Sequence, residues 1–298
     1  MSARGRGSFA PLGPLVALVT GAALVLGPLV ASAEPRARPS TTASLGPHVS
    51  QGFPNAGKLV GGKRWSDTKH AHKLPDHAGQ WGMPGLVAVL QRAAQKVATK
   101  FPKSVLTVGD LSAREGGPLP GHHSHQSGRD ADVGFYVSND RGKAVVLDKF
   151  IPFDSEGRAF SDRHLFFDDR RNWAFVQALM TDGRAEVRTI FVASWLKVRL
   201  LKAAADAKAP KDLIEKATIA MMQPPNAEPH HDHFHVRIAC VASQRGAVCH
   251  DDSIDRGPAR PPSGGGDGAL ESGPGAAPPP LPADPPAGLD PPSAVLKK

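Results

Sequence analysis

His233-Phe-His-Val-Arg-Ile-Ala239 (HFHVRIA) is the stretch on which the fold turns. It reads as a strand, and in a strand His233 and His235, two apart, project from the same face. Phe234 points the other way, towards a core. Outward from it, Asp132–Val137 (DVGFYV) alternates in the same manner, Arg188–Ala193 (RTIFVA) reads as another strand, and Ser104–Val108 (SVLTV) is a short β-rich run ending at Gly109-Asp110. Pro84–Thr99 (PGLVAVLQRAAQKVAT) carries apolar residues at helical spacing, with proline where a first turn tolerates it. Arg170–Met180 (RRNWAFVQALM) and Trp195–Ala205 also read as helices. Helices and strands mixed without a strict βαβ rhythm predict an α+β domain, a small antiparallel sheet with flanking helices.

Composition sets the limits of that domain. Arg4 and Arg6 precede an uncharged run from Pro11 to Val30, and Ala31-Ser32-Ala33 then offers a small-x-small cleavage pattern. Residues 1–33 are therefore expected to be a signal peptide cleaved before Glu34. The rival, an uncleaved membrane anchor, is disfavoured by Gly21, Gly27, Pro28 and the cleavage pattern itself. Residues 34–50 read as a disordered leader, and the Pro/Gly-rich stretch 251–298 has too few large apolar side chains to order itself. One domain, 51–250, remains. Export implies a periplasmic protein, free of the membrane once the signal is removed. In that oxidising compartment Cys240 and Cys249, with eight residues between them, are expected to form a disulfide. A thiolate metal site is the alternative, and their spacing matches no common zinc pattern.

The chain has a formal net charge of +8, which suits attraction to an anionic polymer such as peptidoglycan. Its basic residues are scattered and it has one tyrosine, so a nucleic-acid partner with an aromatic stacking platform is not expected.

The histidines are uneven. Of thirteen, three fall in Gly121-His-His-Ser-His125 and four in His230-His-Asp-His-Phe-His235. A bland reading makes His233 and His235 partly exposed strand residues. The first window changes the balance: His125 and Asp132 lie seven apart, with Gly128 between them to permit a turn. Together with one strand histidine they offer three protein ligands and an open fourth position, as catalytic rather than structural zinc sites do. Asp130 would share a face with Asp132 if the strand began early, which makes it the rival ligand.

SHQSGRDADV and HDHFHVR, preceded by GDLS at 109–112 and the glycine pair 116–117, resemble the penicillin-insensitive murein endopeptidases. These are relatives of lysostaphin-type enzymes, D-Ala-D-Ala carboxypeptidases and hedgehog domains. The resemblance covers roughly 51–250. It implies Zn2+ held by His125, Asp132 and His235, with His233 and His230 beside the water, and His122 at a further metal-associated position whose acidic partners are not evident. His123 and His231 have no assigned role. No His-Glu-x-x-His is present, so His233 is the expected proton acceptor and His230 the residue that orients substrate or steadies the oxyanion. The implied reaction is hydrolysis of D-alanyl–meso-diaminopimelyl cross-links. A D,D- or L,D-carboxypeptidase using the same site and a non-catalytic wall-binding module are the competing readings.

Overall fold

In the computed structural model, which describes residues 46–224 and 227–252, the chain opens with a hairpin of β1 (Val49–Phe53) and β2 (Ala56–Val60). Two-residue strands β3 (Lys63–Arg64) and β5 (Trp81–Gly82) pair with each other around β4 (Ala71–Lys73). Helix α1 (Pro84–Lys100) and strands β6 (Leu106–Val108) and β7 (Asp130–Gly134) follow. A small sheet of β8 (Val137–Asn139), β9 (Ala144–Val145) and β10 (Leu165–Phe167) then leads to α2 (Asp169–Met180). The chain continues through β11 (Val187–Phe191), α3 (Ser194–Asp206), α4 (Lys211–Ala220), β12 (Met221–Met222) and β13 (His233–Ile238). The expected signal peptide and most of the leader and tail lie outside the described residues.

The fold class is α+β. Its main sheet has six strands in the order β12-β11-β13-β7-β6-β4, wider than expected, with antiparallel pairing at its centre. Parallel pairs, β11 with β12 and β4 with β6, close both edges. The edge strands are two and three residues long, which leaves little unpaired backbone to recruit another chain. The expected strand 132–137 is two strands, because Tyr136 leaves the ladder: its N–H donates to Asn172 Oδ1 and its carbonyl accepts from Asn172 Nδ2, both at 2.8 Å.

Helices cover one face of the sheet. In α1 the buried stripe Leu86, Val87, Leu90, Ala93, Ala94 and Val97 follows helical spacing, and Pro84 occupies its first turn. Helix α2 is capped by Asp168, whose side chain accepts from Arg171 N–H at 2.9 Å. Phe234 and Val236 of β13 are fully buried on this side, and Phe234 meets Phe135 and Phe175 at ring separations of 4.6 and 5.9 Å. Alternation therefore turns His233, His235 and Arg237 to the opposite face. Among the described residues no helix is long and apolar enough to cross a membrane.

Two ties fix the periphery. Cys240 and Cys249 form a disulfide. Arg129, fully buried just before β7, donates from Nε to Ser50 Oγ (3.1 Å) and from Nη2 to His250 O (2.6 Å), and pairs with Asp251 through Nη1 (3.1 Å). Val49 and Ser50 already belong to β1, and Asp251 is held at the domain's other end, each just beyond the 51–250 expected for the domain.

Arg92 of α1 grips Asp182, past the end of α2, with Nε–Oδ2 at 2.7 Å and Nη2–Oδ1 at 2.8 Å. The Arg92 hydrogen bonds, helped by the Arg184 and Ala185 amides and opposed by burial, pull the Asp182 carboxyl down to about 2. Since that lies below the unfolded value, the stabilisation is complete above about pH 4 and is lost as pH falls towards 2. Asp182→Asn should lower the unfolding free energy by roughly 2 kcal/mol at pH 7, in urea titrations whose gap from wild type closes near pH 2.

Candidate metal centre

Strands β7 and β13 run antiparallel with His235 opposite Asp132, Arg237 opposite Asp130, and His233 opposite Gly134. This register sets the site, because cross-strand partners on one face lie close enough for side chains to meet. Strand β7 begins at Asp130, so Asp130 and Asp132 do share a face. Their surroundings separate them. Asp130 is fully buried, and its Oδ1 accepts from Arg237 Nε at 2.5 Å and His235 Nε2 at 2.8 Å. Burial opposes its charge, but Arg237 and His235 together hold the carboxyl well below the usual range. It is occupied in orienting its neighbours.

Asp132 is differently placed. Its Oδ1 lies 3.0 Å from His235 Nδ1 and 3.3 Å from His125 Nε2, and the two nitrogens are 3.2 Å apart. All three side chains are buried. His125 reaches this point from a left-handed backbone, φ 66°, an uncommon conformation for a residue other than glycine. Gly128, at φ 75°, turns the chain between it and Asp132.

The outer nitrogens decide what the inner ones can be. His125 Nδ1 contacts the Leu111 carbonyl at 2.5 Å, and His235 Nε2 contacts the Asp130 carboxylate. Both contacts are with acceptors, so those nitrogens carry the protons of the neutral rings. Against its burial, Asp130 and Asp132 push the His235 ring towards its charged form, which is one way to balance the carboxylate. With both rings neutral, two lone pairs and a carboxylate oxygen converge with no hydrogen between them, and Asp132 Oδ1 is a buried atom without a hydrogen-bond partner. Such a donor set fits a divalent cation, with its imidazoles oriented from outside as metal-binding histidines are. His122 also belongs to the group: ligand atoms of His122, His125 and Asp132 all lie within 4.8 Å of one another.

Residues 50–259 match the family described as penicillin-insensitive murein endopeptidase. The chain belongs to that family. It is 30% identical over 166 residues to the penicillin-insensitive murein endopeptidase of Haemophilus influenzae, covering 54% of this chain and 52% of that protein. With the protein of the same name from Escherichia coli (strain K12 / DH10B) it is 28% identical over 195 residues, covering 65% and 64%. The chain thus spans between half and two thirds of the length of these relatives.

In this member of the family His123, His230 and His233 line, with the cluster, a cleft of about 900 Å³ together with Asn55, Phe191, Glu228 and Arg237. His233 sits 3.5 Å from Asp132 Oδ1 through Nε2 and 2.7 Å from Asp232 through Nδ1. Burial opposes its protonation, but Asp132 first and Asp232 second outweigh it and push His233 up to about 10. His230 goes the other way. Burial, with His233 and His235 nearby, pushes it down to about 4, and its Nδ1 is buried without a partner. His123 lines the rim of the cleft, whereas His231 packs its ring towards Trp195 and Phe160.

Sequence reasoning did not assign roles to Asp110, His77, Phe150 or Arg237. The alternation that aligns His235 with His233 also carries Arg237 onto the site face, a signal that was available. Phe150 offered none: it stacks on His233 with centroids 5.1 Å apart, arriving from the loop before β10. Gly134 permits this approach, since a methyl there would stand 2.1 Å from Thr107 Oγ1 and 3.1 Å from the Phe150 ring. Gly134→Ala should therefore reduce stability by about 1–3 kcal/mol, the usual range for overpacking. An unchanged urea midpoint would mean that Thr107 and Phe150 yield freely.

Proposed function

We propose that this protein is an exported zinc-dependent endopeptidase that hydrolyses D-alanyl–meso-diaminopimelyl cross-links of peptidoglycan in the periplasm. The observation that carries the metal reading is the convergence of His125 Nε2, His235 Nδ1 and Asp132 Oδ1 within 3.3 Å, with Asp132 Oδ1 buried and making no hydrogen bond. Two imidazoles and a carboxylate suit zinc. When bound there, zinc polarises the scissile carbonyl and lowers the pKa of a coordinated water towards 7. Family membership supports the substrate, as do the names of the two relatives.

The chain's own groups supply the rest. His233 is placed to take a proton at Nε2, the nitrogen that faces Asp132, while Asp232 holds Nδ1 and fixes the ring. Its stacking on Phe150 restricts rotation. The high proton affinity of His233 comes chiefly from Asp132, and a dication sharing that carboxylate would bring it down towards the neutral range where a base operates. His230, held neutral by burial, presents an uncharged edge to the cleft and is suited to donating a hydrogen bond to substrate. The cleft is bounded on the β13 side by Arg237, whose charge is already matched by Asp130.

Purified diaminopimelate-type sacculi, digested by the zinc-loaded chain from Glu34 onward and read by mass, test the proposal. Cross-linked dimers should fall and monomers rise. His233→Ala should retain zinc and lose roughly 10²- to 10⁴-fold in rate, the usual weight of a general base, whereas His125→Ala should lose both metal and activity. Shortened stems with dimers intact would replace this reading with a carboxypeptidase. No product at all from a zinc-loaded chain would favour a wall-binding module.

A further inference from the structure

His231 is the one histidine of the 230–235 window that does not line the cleft. Its ring is flanked by two others. The Phe160 centroid is 6.2 Å away and the Trp195 centroid 5.9 Å, inclined to it at 51° and 48°. Neither neighbour stacks flat on His231, so the ring faces are not consumed by one another, and Phe160 is 59% exposed. An aromatic group left this open forgoes the gain of burial, and beside a cleft such a surface marks a place where a ligand can cover it.

A single residue ties the group together. Phe153, itself fully buried, donates its N–H to the His231 carbonyl at 2.9 Å and accepts at its own carbonyl from Trp195 Nε1 at 3.1 Å. Phe160 N–H donates to Pro152 O at 3.1 Å. The turn between Phe153 and Phe160 is closed by Asp154, whose Oδ1 accepts from Arg158 N–H at 2.8 Å and whose Oδ2 accepts from Arg163 Nη1 at 2.6 Å. The three rings are thus held before anything binds, and a rigid aromatic surface loses little entropy when it is covered.

This surface adjoins the cleft. His230 lines the cleft and is joined directly to His231, and Ala193 N–H holds the His230 carbonyl at 2.7 Å, two residues before Trp195. The segment that ends at Phe160 begins with Phe150, stacked on His233. A peptidoglycan stem peptide hangs from a sugar, so a cleft that takes the stem places the glycan just outside it. A pyranose ring has an apolar face of C–H bonds and a rim of hydroxyl groups, which suits a small aromatic surface bordered by Asp154, Arg158 and Arg163. A membrane or a protein partner would need several adjoining apolar side chains. Among the described residues, no other large hydrophobic side chain between Val146 and Val198 is exposed.

We propose that Phe160, His231 and Trp195 form a sugar subsite, a shelf beside the cleft on which a pyranose of the glycan strand lies while its stem peptide enters the metal centre. This rests on the peptidoglycan reading of the cleft and adds to it recognition of the strand that bears the peptide.

Two substrates test it: a cross-linked dimer that carries its disaccharides, and the same dimer stripped of them by an amidase. Phe160→Ala should raise KM for the sugar-bearing dimer roughly 3- to 10-fold, the weight of one aromatic contact. Its kcat should be unchanged, as for binding shared by ground and transition states, and KM for the stripped dimer should not move. Phe160→Tyr keeps the ring and should stay within about twofold of wild type. Equal losses on both dimers, no change on either, or a loss in Phe160→Tyr as large as that in Phe160→Ala would overturn the shelf and leave the peptidase reading intact. If the wild type cleaves neither dimer, the peptidase reading fails. Calorimetric titration with peptide-free strands of alternating N-acetylglucosamine and N-acetylmuramic acid then decides the shelf alone. Binding to wild type that weakens in Phe160→Ala but not in Phe160→Tyr supports it, and equal binding to all three chains, or none, overturns it.

Discussion

The antiparallel pairing of β7 with β13 is the constraint on which the candidate centre depends. Register places Asp132 against His235 and Asp130 against Arg237, and a slip of one residue would send every one of these side chains into the helical layer. What opposes such a slip is the other face of the same strands. Ala131, Val133, Phe234 and Val236 are fully buried there, so one-residue slippage would bury charge and expose core together. The polar site is thus held in register by apolar packing that never touches it.

The ends of this strand pair are secured by parts of the chain that are remote in sequence. Arg129 enters β7 while holding Ser50 of the first hairpin and the His250 carbonyl after the disulfide. Asp251 accepts from Arg129 and also from the Cys240 amide at 2.6 Å. A fully buried guanidinium is tolerable because its donors find oxygens. The disulfide therefore does more than close a short loop: it keeps the Asp251 and His250 acceptors near the arginine that anchors the first ligand-bearing strand.

Much of the arrangement was legible because it is periodic or local. Helix α1 and strand β13 declare themselves by spacing, and Gly128 marks the turn that its positive φ requires. Helix α4 was not read: it buries only Leu213, Ala217 and Ala220, too slight a stripe to stand out in ten residues. The β1–β2 hairpin was missed for a different reason, since Gly52 and Gly57 blur its alternation. At the centre, the strand histidines and Asp132 could be found from spacing and motif, but orienting groups could not. His77 meets Asp110 across thirty-three residues and Phe150 meets His233 across a longer gap. Such meetings are set by the topology of the sheet and leave no periodic trace.

Charge balance shows what the buried carboxylates demand. Asp130 has Arg237, a fixed cation that no ordinary pH removes. Asp132 has no such partner within 4 Å: among the described residues its ion-pair neighbours are His122, His125, His233 and His235, at 3.0–3.5 Å. A buried carboxylate facing only imidazoles can be neutralised in two ways, by protons on those rings or by a cation among them. The two are exclusive at the inner nitrogens of His125 and His235, because a lone pair given to a proton is not available to a metal. The outer acceptors, Leu111 O and Asp130, engage the opposite nitrogen of each ring, so that the inner one carries a proton only when the whole ring is charged. The outer hydrogen bonds therefore settle which nitrogen of each ring faces Asp132, while against its burial Asp130 and Asp132 together push His235 towards the charged form, so that a proton and a cation compete for the same inner lone pair.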